Sequence, residues 1–225
     1  MKEYKINTYD EAVQVVKEVG ILPLAPLIPD FPSLDTITLK QNWHTGTELD
    51  PWLWRAQFPV DGIAAYGKFI KKKAILISRE ILPLVKTVLG SEYSVKQRYE
   101  DGMISKEALD LYSIISEEEG IDTRVLRVKA GMKDKEKKKS FEHALQELQG
   151  TMDIVISGTK QKQNELGEIN GWSSTSYETM DNWSRKNNVV ITGVKKEKAK
   201  EMLKKYFAEK CSTESMKALA KIFMF

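Results

Sequence analysis

Asp35, in the run Ser33-Leu34-Asp35-Thr36-Ile37, is a carboxylate of the kind that activates a water or stabilises a cationic sugar, and its competing use is as part of a helix cap. His44, in Asn42-Trp43-His44-Thr45-Gly46, is the one side-chain type that acts as a base near neutral pH, against a plainly structural role in a loop. Trp43, Trp52 and Trp54 offer flat faces on which an extruded base can stack, with Arg55 and Tyr66 as further pocket residues; the alternative use of tryptophan is core packing. A second group is basic. Placed at 100° per residue, Lys135, Lys139, His143 and Gln146 share one side of a helix, opposite Phe141, Ala144, Leu145 and Leu148. These residue types contact phosphates and base edges, although a solvated helix face uses them too. The segment 131–140 holds five lysines against two carboxylates, an excess equal to the +3 net charge of the whole chain. Lys160 and Lys162 fall in a loop over 159–171 that could touch a minor groove or phosphates, or simply face solvent, and Lys71-Lys72-Lys73 is a turn between two strands.

Positioning these groups requires particular elements. Thr8 or Asn7 caps a first helix with Ala12, Val13, Val16 and Val19 on its buried stripe, stopped by Gly20. Prolines at 23, 26, 29 and 32 give an extended segment whose interspersed leucines, isoleucine and phenylalanine suit packing on the core. Residues 64–70 and 74–77 read as strands around the lysine turn, and Ser78 caps a helix through Leu89. A boundary is expected between Gly90 and Gly102, with a short helix over 94–100. Beyond it come a helix capped by Ser105, a short extended link at Gly120-Ile121-Asp122, and a brief helix capped by Thr123. A third helix opened by Asp134 and closed by Gly150 follows, then strands over 153–157 and 172–178. Three helices followed by a hairpin are the order of a winged helix. The tail is expected to hold a strand over 189–192, an amphipathic helix around Leu203, and an apolar end that docks on the core. No internal sequence repeat is visible.

Composition narrows the chemistry. With 225 residues the chain buries a sizeable core. One cysteine, Cys211, and two histidines exclude an internal disulfide and any zinc site of several Cys or His, so no metal and no small cofactor are expected. There is no phosphate-binding Gly-rich loop, no Gly-x-Ser-x-Gly elbow and no HExxH. No stretch approaches the ~18 apolar residues of a membrane span, and the first residues lack a signal-peptide run, which predicts a cytoplasmic protein with no membrane partner. Composition leaves the oligomeric state open.

Pro32-Ser33-Leu34, Trp52-Leu53-Trp54-Arg55, Tyr66-Gly67-Lys68-Phe69, the run from Gly131 through Phe141-Glu142-His143-Ala144 to Gln149, and Trp172-Ser173-Ser174-Thr175-Ser176-Tyr177-Glu178 together form a recognisable set. In these stretches the chain resembles bacterial proteins of the AlkZ-related family. That family is named for a distant similarity to the AlkZ/YcaQ winged-helix DNA glycosylases, which excise alkylated bases and unhook crosslinks. The resemblance implies a mainly α protein with short β-hairpins (α+β) and tandem winged helices. The expected division is a unit over 1–90 with its wing at the lysine turn, a unit over 91–195, and a helical tail over 196–225. In those glycosylases the motif is Gln-x-Gln or Gln-x-Asp; the resemblance implies that Asp35 matches its second catalytic residue, and Ser33 stands where the water-positioning glutamine would be. Gln161-Lys162-Gln163 spells the other form of the motif inside the second hairpin loop. The leading expectation is a protein that binds double-stranded DNA, damaged DNA included, with a link to repair. The alternatives are an active metal-independent glycosylase using Asp35 and water, and a protein-interaction module using Glu117-Glu118-Glu119 and its mixed-sign surface.

Overall fold

A computed structural model describes residues 3–162, 173–191 and 193–225. The first helix, α1 (Tyr9–Val19), begins at a capping box in which Glu11 N–H donates to Thr8 Oγ1 at 3.3 Å and the Glu11 carboxylate accepts from Thr8 N–H at 3.1 Å. Gly20, at φ 78°, ends it and turns the chain into β1 (Ile21–Pro23). Ser33 caps α2 (Leu34–Ile37), and Asp50 caps α3 (Pro51–Val60), with Pro51 in the first helical turn. Strands β2 (Ala64–Ile70) and β3 (Lys73–Ser78) form a hairpin. The residues between them, Lys71 and Lys72, have φ of 50° and 59°, the backbone a twisted two-residue turn demands. Next come α4 (Leu82–Leu89), α5 (Val95–Glu100), α6 (Lys106–Glu117), β4 (Ile121–Asp122), α7 (Thr123–Lys129) and α8 (Lys138–Gly150). A second hairpin, β5 (Ile154–Lys160) and β6 (Ser174–Thr179), leads to α9 (Met180–Lys186), α10 (Lys196–Ala208) and α11 (Thr213–Phe223).

The strands join into one antiparallel sheet of order β1-β3-β2-β5-β6-β4, so the fold is mixed α+β. The two hairpins meet at the centre, where Tyr66 pairs with Ile156. Each half of the sheet is built alike. The order helix, short strand, helix, helix, hairpin runs through α1-β1-α2-α3-β2-β3 and again through α6-β4-α7-α8-β5-β6, and in both the short strand pairs with the last strand of the hairpin. This repeat of topology is carried by sequences that share no visible repeat.

Side-chain alternation divides the sheet into two buried faces. Leu22, Ala64, Tyr66, Leu76, Ile154, Ile156 and Tyr177 pack against α1, α2, α3, α6, α7 and α8. Ala65, Phe69, Ile75, Ile77 and Val155 pack on the other face, against α4, α9, α10 and α11. Both clusters take residues from either side of position 90. At the end of the chain Leu219 and Phe223 are fully buried, Phe223 stacks on Phe207 at 5.9 Å, and Met224 is exposed.

Several local expectations are corrected. The third helix of the second half starts at Lys138, not Asp134, because residues 134–137 form a turn tied to α7. Asp122, whose carboxylate accepts from the N–H groups of Arg124 and Val125, caps α7 in place of Thr123. The helix after β3 begins at Leu82 rather than at Ser78, with Pro83 harmless in its first turn. Residues 189–191 form no strand, and Thr192 lies outside the described residues. The sequence reading missed α9, whose seven residues are too few to show a helical period; Thr179 caps it, and Trp183 Nε1 donates to the Pro59 carbonyl at 2.8 Å, locking it to the end of α3.

Gly62 sits in that joint at φ 66°, and a Cβ there would run into the Asn187 amide. Gly62→Ala is therefore expected to destabilise the fold by about 1–3 kcal/mol, from left-handed backbone strain and the clash together. Urea unfolding of the full chain measures it.

Candidate nucleic-acid interface

The first group of candidate residues is organised by Asp50, which is 1% exposed. Its carboxylate accepts from the backbone N–H groups of His44 (3.0 Å), Gly46 (3.0 Å) and Trp52 (2.9 Å). Burial alone would raise its pKa, but these bonds together hold it below the usual carboxylate value. The same grip keeps His44 at φ 62° and brings its ring to 4.9 Å from Trp52 and 6.2 Å from Trp43. Trp43 is anchored by its Nε1–H to Thr38 Oγ1 at 2.9 Å. The Arg55 guanidinium covers the Trp52 ring at 3.4 Å and lies beside the Tyr66 hydroxyl. Burial pushes that hydroxyl above the usual tyrosine pKa, and the Arg55 charge offsets part of the rise. His44, Trp52, Arg55 and Tyr66 thus form one connected cluster, with Trp52 40% exposed at its surface.

Two expected members stand apart from it. Trp54 is 1% exposed and donates its Nε1–H to the Glu48 carbonyl at 2.7 Å; it is a core residue, and its face is not presented to an incoming base. Asp35 is the second residue of α2, and no hydrogen bond or ion pair joins its carboxylate to any group among the described residues, His44 included. Ser33, at the position of the glycosylase glutamine, is buried, and its hydroxyl lies 3.1 Å from Thr36 Oγ1 and accepts from Thr36 N–H as the cap of that helix.

The second group lies on α8 and the turn before it. Arg127 of α7 donates to the carbonyls of Met132 (3.1 Å), Lys133 (3.1 Å) and Asp134 (3.3 Å) and covers the Phe141 ring at 5.6 Å. This guanidinium shapes the turn that carries Lys135, which therefore precedes the helix rather than standing on it. Lys139 and His143 are exposed on α8, and Gln146 is half-buried. His143 Nδ1 lies 3.4 Å from Glu147, which also accepts from the Ser105 N–H and hydroxyl. Along one side of α8 runs a cavity of about 430 Å³ lined by Lys68, Arg127, Lys138, Gln146, Gln149 and Tyr177. Lys68 enters from β2, in the other half of the sheet, its N–H donating to Gln149 Oε1 at 2.9 Å. Sequence reasoning missed Lys68 and Arg127 as site residues. The available signal for Lys68 was its place two residues after Tyr66 on a strand, which puts both on one face.

The two basic turns are not brought together. Because β2 and β5 run antiparallel, the hairpin turn at Lys71, Lys72 and Lys73 and the chain leaving Lys160 lie at opposite ends of the sheet. Lys160 and Lys162 are both exposed. The rest of that loop, residues 163–172, with Gln163 of the Gln-x-Gln run and Trp172, lies outside the described residues. Two of the three glutamates at 117–119 are engaged. Glu118 pairs with Lys129, and Glu119 accepts from the Thr179 N–H at 2.7 Å and hydroxyl at 2.6 Å. Among the described residues no group of three or more His, Cys, Asp or Glu could hold a metal ion, and no helix is long and apolar enough to cross a membrane.

Comparison with curated proteins and with solved structures finds no match. A family model described as AlkZ related matches residues 6–224, which takes in both halves of the sheet, the Asp50 cluster and the lysine-bearing α8. The chain belongs to the AlkZ-related family.

Proposed function

We propose that this chain is a DNA-binding protein linked to repair, built of two winged-helix units over residues 1–90 and 91–195 with a helical tail over 196–225. The observation that carries the reading is the twofold helix-strand-helix-helix-hairpin order with its matching strand pairings, combined with lysines on and just before the third helix of the second unit. In such a unit the third helix enters the major groove and the hairpin turn meets the backbone or minor groove. Lys135 and Lys139 then contact phosphates, His143 and Gln146 face base edges, and Lys71, Lys72, Lys73, Lys160 and Lys162 serve the two wings. Membership of a family named after AlkZ supports the link to repair.

Fluorescence anisotropy with a 20-base-pair duplex across a salt series tests this. Binding should weaken steeply with salt, and replacing Lys135 and Lys139 by Ala should reduce the slope of log K against log salt by about 2, at roughly 0.9 per phosphate contact. No binding at low salt, or binding insensitive to salt, would sink the reading. Stable co-purification with a partner protein and no DNA affinity would favour the interaction-module reading instead.

A second reading, a metal-independent glycosylase, is favoured by the unpartnered Asp35 carboxylate at the matching motif position. There it would stabilise an oxocarbenium-like sugar or activate water, with His44 assisting and the Trp43, Trp52, Arg55 and Tyr66 cluster holding an extruded base. The cap role of Ser33 favours binding without chemistry. On the binding reading, alkylated duplex DNA releases no free base with wild type or Asp35→Asn. Release by wild type that is lost in Asp35→Asn would establish the enzyme.

A further inference from the structure

A second local charge excess, apart from the one that leads into α8, is on α10 and its flanks. Residues 195–210 hold seven lysines against three glutamates, an excess above the +3 of the whole chain, so the remainder is slightly acidic. The fold does little to neutralise it. Lys198 pairs with Glu201 at 3.1 Å, and Lys210 donates to the Glu18 carbonyl at 2.7 Å over the Tyr206 ring. Lys195, Lys196, Lys200, Lys204 and Lys205 have no hydrogen bond or ion pair with any group among the described residues. Of the helices packed on α10, α4 has no carboxylate at all, and Glu214 of α11 is paired with Lys217 at 2.7 Å.

Three of these lysines are in register. Lys196, Lys200 and Lys204 follow one another at four-residue spacing, a single stripe about 12 Å long at 1.5 Å per residue. Like charges at that spacing destabilise a helix by a few tenths of a kcal/mol per pair, and lysines in the first turn oppose the helix dipole. Glu197 in the first turn and Lys205 in the last turn offset part of this cost. The apolar side of α10 is used up: Ala199, Leu203 and Phe207 are fully buried, and Met202 is the one large apolar side chain of this helix that is exposed, too little for insertion into a bilayer. A positive, non-apolar stripe suits a polyanion with regularly spaced charges.

Its location makes it a separate surface. α8 packs on one face of the sheet and α10 on the other. A helix layer, the sheet and a second helix layer, each about 10 Å thick, separate the outer sides. That exceeds the screening length of about 10 Å at 0.1 M salt, so the two basic regions act independently.

We propose that the Lys196–Lys200–Lys204 stripe is a second, sequence-independent phosphate-binding surface for duplex DNA, which lets one chain hold two duplex segments on opposite faces. It rests on the DNA-binding reading above and extends it to a surface that reading does not use. The test uses the full chain, a biotinylated 20-base-pair duplex on beads and a fluorescent duplex of the same length in solution. Wild type should retain the fluorescent duplex on the beads. The triple variant Lys196→Gln, Lys200→Gln, Lys204→Gln should lose most of that retention, about fivefold or more. It should also flatten the salt slope of total binding by roughly 2.7, for three phosphate contacts. Lys196 and Lys200 are half-buried, so Lys204→Gln with Lys205→Gln, both exposed, gives a variant that leaves the core untouched and should lose part of the retention. Retention and slope unchanged in both variants, with binding that still responds to Lys135→Ala and Lys139→Ala, would overturn this inference alone. Binding to phosphatidylserine vesicles but not to duplex would overturn it in favour of a lipid surface. Absence of any duplex binding by wild type would remove the underlying reading as well.

Discussion

Arg98→Ala is expected to destabilise the protein by about 3–5 kcal/mol, the range for breaking a buried ion pair by removing one partner. Arg98 is 3% exposed; its Nη2 donates to Asp153 Oδ2 at 2.6 Å and its Nη1 to Thr151 Oγ1 at 2.9 Å. These bonds tie α5 to the start of β5. Burial raises the Asp153 pKa, and the bonds from Arg98 and Thr151 only partly counter it. The sign follows from proton binding. A carboxyl with a raised folded pKa holds its proton at a pH where the unfolded chain has lost it, so stability falls as pH rises from about 3.9 through the folded value. Without Arg98 that pKa rises further. The deficit of Arg98→Ala should therefore be largest at neutral pH and shrink on acidification towards pH 4. Guanidinium unfolding at several pH values reads this directly. The paired variant Arg98→Met, Asp153→Leu should recover most of the loss, because it leaves no buried charge; a deficit equal to that of the single variant would show that the pair is not the source.

Asp50→Ala is expected to cost roughly 3 kcal/mol. Loss of a helix cap accounts for about 1 kcal/mol, and the two further bonds from a charged acceptor to the N–H groups of His44 and Gly46 for the rest. Its folded pKa is lowered, so its contribution is complete above the unfolded value near 3.9 and is lost as pH falls through the folded one. The gap between wild type and Asp50→Asn should close accordingly in acid. The larger consequence is local. Releasing residues 44–46 frees His44 from its left-handed backbone and separates its ring from Trp52. If the cluster holds a base, Asp50→Asn should weaken binding to a duplex with one unpaired base more than to an intact duplex. Equal weakening of both would confine Asp50 to stability.

Much of the architecture was legible because it follows from local rules. The α1 capping box, the glycine stops, the lysine hairpin and the α6 cap each depend on residues within four positions of one another. Boundaries failed where a distant group decided them. Arg127 drew residues 134–137 out of α8, and Trp183 of the missed α9 reached across to Pro59. Trp43, Trp52 and Trp54 look alike as residue types within twelve positions; their fates as anchored, exposed and buried rings were set by Thr38, by Asp50 and by the carbonyl of Glu48.

The sequence by itself determined which residue types were available and where the charge lies: carboxylates, two histidines, one cysteine and local lysine excesses. It also determined the helices and hairpins, because backbone preference and apolar periodicity act over a few residues. Only the tertiary structure decided which of these groups meet. Strand pairing at Tyr66 and Ile156 brought Lys68 beside α8, ran the two hairpins in opposite directions and so parted the lysine turns. The sheet's two faces then set α8 and α10 on opposite sides. Pairing over some 90 residues is fixed by burial of the whole sheet, and no local window of sequence contains that information.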